Sequence, residues 1–489
     1  MSKSLFKSAL LWNAWAAMIL LPRFVNAQNQ TVITIQPCQV YVSPTGSDSS
    51  AGTLSAPWRT VQHAFDYARP GDTVCFRGGT YAMTTTTGYN QALYRSGTPT
   101  SRITFMNYPG EVAIIAGSTK VQADYVTFQG APVAKPGLIF DGPGARNMDL
   151  VDIMYSHDVT FDHVEIRHGA YHAGLYQYGG YNNKVIGSYI HDNGRPGFIN
   201  TDQGIYWDAT TGGGNLIANN VVEHNISSGV QLYPSPSQVT VEQNTIVNNG
   251  NYGMELFGTG NAIVNNIFSN NGNSARNPQM NIDPPAKSLV IDSNIYWHTT
   301  TSQQGYSDPC SCHASTHSLV KDPAFVDVSS HNYHLKLGSP AIGTGNPTYA
   351  LRVDKSGHTR PSPPDLGAYE FGVAAPTLQI SITPTALSFG NQSVGSTSAA
   401  KTVTLQNTGT ANLTISAITS SSPAFLLASA TTLPAVLTPG QTALVSVSFR
   451  PATVGSQAGS LKVTSTAPSS PTTVSLSGNG VQQVLGAVR

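Results

Sequence analysis

Between Phe161 and Trp297 the apolar and polar positions fall into a repeating unit. Five segments carry it: Lys184–Ile190, Leu216–Val222, Thr240–Ile246, Ala262–Phe268 and Val290–Tyr296. In each, an apolar residue is followed three places on by Ser188, Asn220, Asn244, Asn266 or Asn294, and then two places on by another apolar residue. A degenerate copy lies at Val159–Ile166, and the copies recur every 22 to 32 residues. A fixed period in this range predicts a solenoid of stacked units, not a single globular core. The units are β-branched, alternate in and out, and end in Asn or Gly, so each is a β-coil and not a helix pair. An Asn at one place on successive coils can form a ladder, because its amide both donates and accepts.

This pattern resembles the right-handed parallel β-helix of the pectate-lyase-like superfamily. The run Tyr41–Asp48, Gly52–Trp58, Pro70–Val74 and Arg77–Tyr81 is similar to the opening of many secreted β-helix proteins. Within it, Trp58, Val61, Phe65 and Ala68 share one face of a predicted short helix, started after Pro57 and stopped by Pro70-Gly71. That helix is read as an end cap over the first coil. Coils are expected from about residue 100 to 325, and residues 322–371 resemble the closing segment of bacterial surface β-helix proteins. Asp354, Arg360 and Glu370 there are read as ties on the last coil. Residues 373–377 read as a linker. Residues 378–480 show six strand patterns separated by Gly, Pro, Ser and Asn, which predicts a β-sandwich of roughly seven strands. Leu387–Gly390, Leu405–Gly409, Val447–Pro451 and Leu476–Gly480 resemble immunoglobulin-like modules of bacterial secreted proteins. The expected fold is thus all-β: a parallel β-helix over 38–372 with a short N-terminal capping helix, followed by the sandwich.

The first 27 residues read as a secretory leader: Lys3 and Lys7, an apolar run from Ala9 to Leu21, and Val25-Asn-Ala27 for cleavage. A membrane anchor is the alternative, but the run is short and broken by Asn13 and Pro22. Removing Lys3, Lys7 and Arg23 from 25 basic residues leaves 22 against 25 acidic ones, so no basic face for nucleic acid is expected. No membrane span and no partner subunit is expected either. Of four cysteines, Cys38 and Cys75 are the preferred disulfide; Cys310 and Cys312 pair locally or stay reduced. A metal site with His313 and His317 is the other reading of the second pair.

The candidate chemistry lies on strands that follow a Gly: Gly174–Tyr178, Gly204–Asp208, Gly229–Tyr233 and Gly253–Phe257. Period two turns Leu175, Ile205, Val230 and Met254 inward and stacks Tyr176, Tyr206, Gln231 and Glu255 outward. Tyr178, Asp208, Tyr233 and Phe257 form a second row, with Asp152, Asn281 and Asp283 on flanking coils. Aromatic faces with planar amides and carboxylates suit sugar rings, so Tyr176, Tyr178, Tyr206, Gln231 and Tyr233 are the candidate substrate contacts. The long segment Asn193–Gln203 is expected to protrude beside this groove. His172 and Asp202 fall at equivalent places on adjacent coils, so a carboxylate–imidazole pair is expected, with Arg195 neutralising a uronate. That set suits abstraction of a proton alpha to a carboxylate. Asp208 and Glu255 are the alternative catalytic pair, of a glycosidase, at roughly 11–12 Å between Cα atoms.

Asn200-Thr-Asp202 resembles a short motif of polygalacturonases, whose Asp-Asp, Gly-His-Gly and Arg-Ile-Lys motifs are absent here. The resemblance to pectate lyases implies calcium as a possible cofactor, with Asp202 and Asp208 as oxygen donors. The expected function is a secreted, carbohydrate-active protein, a polysaccharide lyase on an acidic polymer. The alternatives are a non-catalytic surface or adhesion protein that binds glycan, and a glycoside hydrolase.

Overall fold

The computed structural model describes residues 37–82, 88–130, 137–142, 148–272, 278–284, 286–300, 302, 305–372, 377–429 and 433–482. The expected leader and linker positions 373–376 lie outside these residues. Three parallel sheets of eleven, nine and nine strands run side by side along the chain. Every strand pairs in parallel with its counterpart one coil away, as Lys184–Ile186 does with Asn215–Ala218. Each sequence repeat contributes two strands joined by a bend: Lys184–Ile186 lies in one sheet and Tyr189–His191 in the next, with Ser188 between them. The coils begin earlier than the repeat suggests. Val40–Val42 already pairs with Thr73–Phe76, and these early coils lack the Asn and Gly marks that make later ones visible.

The bends explain those marks. Asn220 Nδ2 donates to Asn244 Oδ1 at 3.0 Å, Asn244 to Asn266 at 2.9 Å, and Asn266 to Asn294 at 3.1 Å. Each amide also bonds backbone carbonyls inside its bend, as Asn244 does with Ile217 and Glu242. Buried backbone groups that cannot reach a sheet ladder are satisfied this way. A second ladder, not foreseen, sits five residues on at the next bend: Asn193, Asn225, Asn249 and Asn271, each at 2.9 Å from the next. It accounts for Gly174, Gly204, Gly229 and Gly253. A Cβ at any of them would stand 2.6–2.8 Å from a ladder amide nitrogen.

The interior is filled by stacked apolar side chains, including Phe105, Phe128 and Phe161 with ring centroids 5.4 and 4.7 Å apart. The cap is a helix over Val61–Tyr67, started by the Thr60 hydroxyl accepting from His63 N. It buries Val61, Ala64 and Phe65. Trp58 precedes the helix and bridges Val42 in extended form. Cys38 bonds Cys75 and Cys310 bonds Cys312.

The closing segment ties down several coils, not only the last. It runs backward along a row of left-handed turn residues, whose side chains catch its backbone. Asn265 Nδ2 donates to Asn346 O, Gln243 Oε1 accepts from Leu351 N, Asn219 Nδ2 donates to Val353 O, and His163 Nε2 meets Lys355 O. A buried Arg360–Glu370 pair holds the segment together and reaches Asn219 Oδ1 at 2.8 Å. Residues from Ile380 to Val481 form a sandwich of four- and five-stranded sheets with a separate core around Val403, Val445, Phe449 and Val463. Six strands match the sequence patterns; Ala386–Ser393, Phe425–Ser429 and Ala435–Leu437 are additional. Among the described residues no helix is long and apolar enough to cross a membrane.

Candidate functional site

The strands that follow the glycines form one nine-stranded sheet. Strand pairing puts Lys120, Asp152, Tyr176, Tyr206, Gln231, Glu255 and Asn281 on one line, rung over rung. Leu175, Ile205, Val230 and Met254 are fully buried, so the line faces outward. Tyr206 is nonetheless only 7% exposed. Its ring is packed against His172 at 4.8 Å and Tyr176 at 5.2 Å. The second row is more open: Tyr233 is 41% exposed and meets Phe257 edge-on at 4.7 Å. Tyr178 meets the exposed Tyr155 at 5.1 Å.

The structure brings His172 to a different carboxylate from the one expected. Its Nδ1 lies 3.2 Å from Asp149 Oδ1. Asp149 also accepts from Ala173 N, which fixes it at the start of the strand. Burial opposes protonation of His172, but the hydrogen bond and charge of Asp149, with Asp202 and Asp152 behind, raise its pKa overall. Asp149 escaped the sequence reading because its coil carries Leu150 where the others carry Gly.

Asp202 is turned into its own loop. Arg195 donates to it from N, Nε and Nη2 at 2.7–2.8 Å, and Thr201 Oγ1 adds a further bond at 2.9 Å. Burial raises the acid's pKa, but these donors outweigh it and lower the value overall. The guanidinium lies over Phe198 and Tyr171, at 3.9 and 4.6 Å from the ring centroids. Arg195 thus staples the Asn193–Gln203 loop before it can serve a substrate.

Two carboxylates of the line are held in a protonatable state. Burial and the charge of Asp149 push Asp152 up to about 7, and Tyr89 hydroxyl donates to it. Burial and the charge of Asp283 push Glu255 up to about 7, and Gln231 donates its amide. Asp208 accepts the Tyr176 hydroxyl at 2.8 Å.

Calcium binds six to eight oxygens. None of the clusters of three or more potential ligands among the described residues lies in the groove. Asp202, fully engaged by Arg195, is not available as a donor. These residues do not fit a ready-made calcium site. The Cys310–Cys312 bond likewise consumes the thiols of the alternative metal reading, although Asp308 and His313 sit beside it.

A family model described as the Pel9A-like right-handed β-helix region matches residues 40–267. A second model, Cep192 domain 4, matches residues 377–481, the sandwich. Pectate lyase PEL9 of Emericella nidulans is 44% identical over 78 residues, 16% of this chain and 18% of that protein. YwoF of Bacillus subtilis is 42% identical over 88 residues, 18% of each chain. The chain therefore spans under a fifth of the length of these relatives. Among solved structures, pectate lyase Pel9A superposes with a TM-score of 0.49 at 18% identity, covering 68% of this chain and 96% of that one.

Proposed function

We propose that the groove binds an acidic polysaccharide and cleaves it by β-elimination, with His172 as the base. The observation that carries this is the Asp149–His172 pair set against Tyr176 and Tyr206 at the centre of the outward line. Tyrosine faces stack on sugar rings, and an imidazole oriented by a carboxylate can take a proton at a fixed place. In the proposed step His172 removes the proton alpha to the uronate carboxyl. The released electron pair forms a carbon–carbon double bond, the glycosidic C–O bond beta to the carboxyl breaks, and the leaving oxygen takes a proton from solvent. Lys120, two rungs from Tyr176, supplies a cation for a substrate carboxylate. Protonation of Asp152 and Glu255 near neutral pH lowers their repulsion of a polyanion. The partial match to a protein named pectate lyase makes pectate the first polymer to try. An extracellular site of action fits the expected leader and the two disulfides.

Glycoside hydrolysis is the second reading, favoured by the raised value of Glu255, which suits a general acid. One experiment separates the readings. The purified protein is incubated with pectate, other polyuronides and neutral polymers, with and without calcium. Ultraviolet-absorbing unsaturated ends are expected, with turnover reduced about 10²–10⁴-fold in His172→Ala. Reducing ends without that absorbance would support a hydrolase. Binding without turnover of any polymer would leave a glycan-binding protein.

A further inference from the structure

Away from the groove, on the outer face of another sheet, two chain segments meet around Glu223. Its side chain is fully buried. It follows the bend at Asn220 on the strand Val221–Glu223. His224 is the next residue, in the left-handed turn, and His331 arrives from the closing segment more than a hundred residues later. His224 Nδ1 lies 2.9 Å from Glu223 Oε2, and His331 Nδ1 lies 3.0 and 3.1 Å from the two carboxylate oxygens. Both imidazoles therefore aim the same ring nitrogen at one oxygen. The rings cross at 72° with centroids 5.4 Å apart. All three donor atoms fall within 4.8 Å of one another.

We propose that Glu223, His224 and His331 form a three-ligand site for a borderline divalent cation of the zinc class, which staples the closing segment to the coils. A tetrahedral ion with bonds of about 2.0–2.2 Å separates its ligand atoms by roughly 3.3 Å. The observed nitrogen–oxygen spacings need to open by only a few tenths of an ångström. Two imidazoles and one carboxylate select zinc-class ions over calcium or magnesium, which take oxygen. Each ring is about half exposed, at 40% and 53%. The far nitrogen can then carry the proton at the surface while Nδ1 presents its lone pair.

The supporting shell is already built. Tyr189 hydroxyl donates to Glu223 Oε1 and Tyr333 hydroxyl to Oε2. Such partners orient a metal-bound carboxylate.

The test uses the full chain, stripped with a chelator and then titrated with Zn2+ by equilibrium dialysis, with Co2+ absorbance as a second readout. The wild type is expected to take up one more equivalent than His224→Ala/His331→Ala. It should show a tetrahedral Co2+ spectrum that the double variant lacks, and a melting temperature raised by Zn2+. Tyr333→Phe should weaken uptake about 10–100-fold without abolishing it. If the double variant fails to fold, His331→Ala, whose ring is exposed, replaces it. Equal uptake by wild type and variant, or no uptake by the stripped wild type, would overturn the proposal.

Discussion

At the scale of single residues the groove depends on which carboxylate faces which base. Asp149 raises the pKa of His172 above its ordinary 6.5, so the free-base form grows in only above that pH. Lyase activity is expected to rise with pH through a midpoint on the alkaline side of 6.5. Asp149→Asn keeps the shape but removes the charge, so the rising limb should move to lower pH while the maximal rate falls. A limb that stays in place in kcat/KM profiles would remove His172 as the base.

Glu242 offers a separate residue-scale test, of stability. It is buried near Arg360 of the closing segment, and its Oε1 has no hydrogen-bond partner among the described residues. Burial pushes it up to about 8, only partly offset by Arg360. The folded value lies above the ordinary 4.5. Between the two the folded state keeps a proton that the unfolded state has released, so this group's contribution to stability falls as pH rises through that window. Glu242→Gln should therefore gain stability over wild type between pH 5 and 8, by on the order of a few kcal/mol at the upper end. Denaturant titrations across that range check it, and a difference that does not vary with pH would refute it.

At the scale of elements, the coils are held by amide ladders at two bends and by the closing segment, which runs along the left-handed residues that precede the first ladder. Asn244 serves five hydrogen bonds in the first ladder, to Asn220, Asn266 and two backbone carbonyls. Asn244→Leu leaves those groups buried and unpaired, and should cost on the order of 3 kcal/mol. An unchanged melting temperature would count against the ladder as a source of stability. The outward tyrosines divide by burial. Tyr233 is exposed, so Tyr233→Ala should weaken polysaccharide binding with the melting temperature held. Tyr206 is packed among rings, so Tyr206→Ala should lower both, by about 1–2 kcal/mol in stability.

At the scale of the whole molecule, two cores form without merging. The sandwich still touches the β-helix: Tyr108 hydroxyl donates to Ser416 O at 2.7 Å. With its own core and complete sheets, residues 377–482 should fold alone and melt cooperatively. In the full chain the contact should bring the two transitions closer together. An isolated fragment without near-native circular dichroism would contradict this.

The repeat between Phe161 and Trp297 was enough to specify a parallel β-coil, its inward and outward faces, and the first Asn ladder. Period and alternation are local properties, and stacking copies of one unit leaves little freedom in register. Most strands of the sandwich were legible for similar reasons of local pattern. The second ladder is also present in the sequence, five residues after the first, but only the fold brings its amides against Gly174 and its equivalents. What the tertiary structure alone decided were partnerships between residues of different segments. Asp149, not Asp202, braces His172, because Arg195 folds back and claims Asp202 within its own loop. Glu223 meets His331 because the closing segment returns along the coils. Such choices depend on how a long loop and a distant strap settle against the solenoid, where competing donors lie within reach of the same carboxylate, and no periodicity in the chain encodes which donor wins.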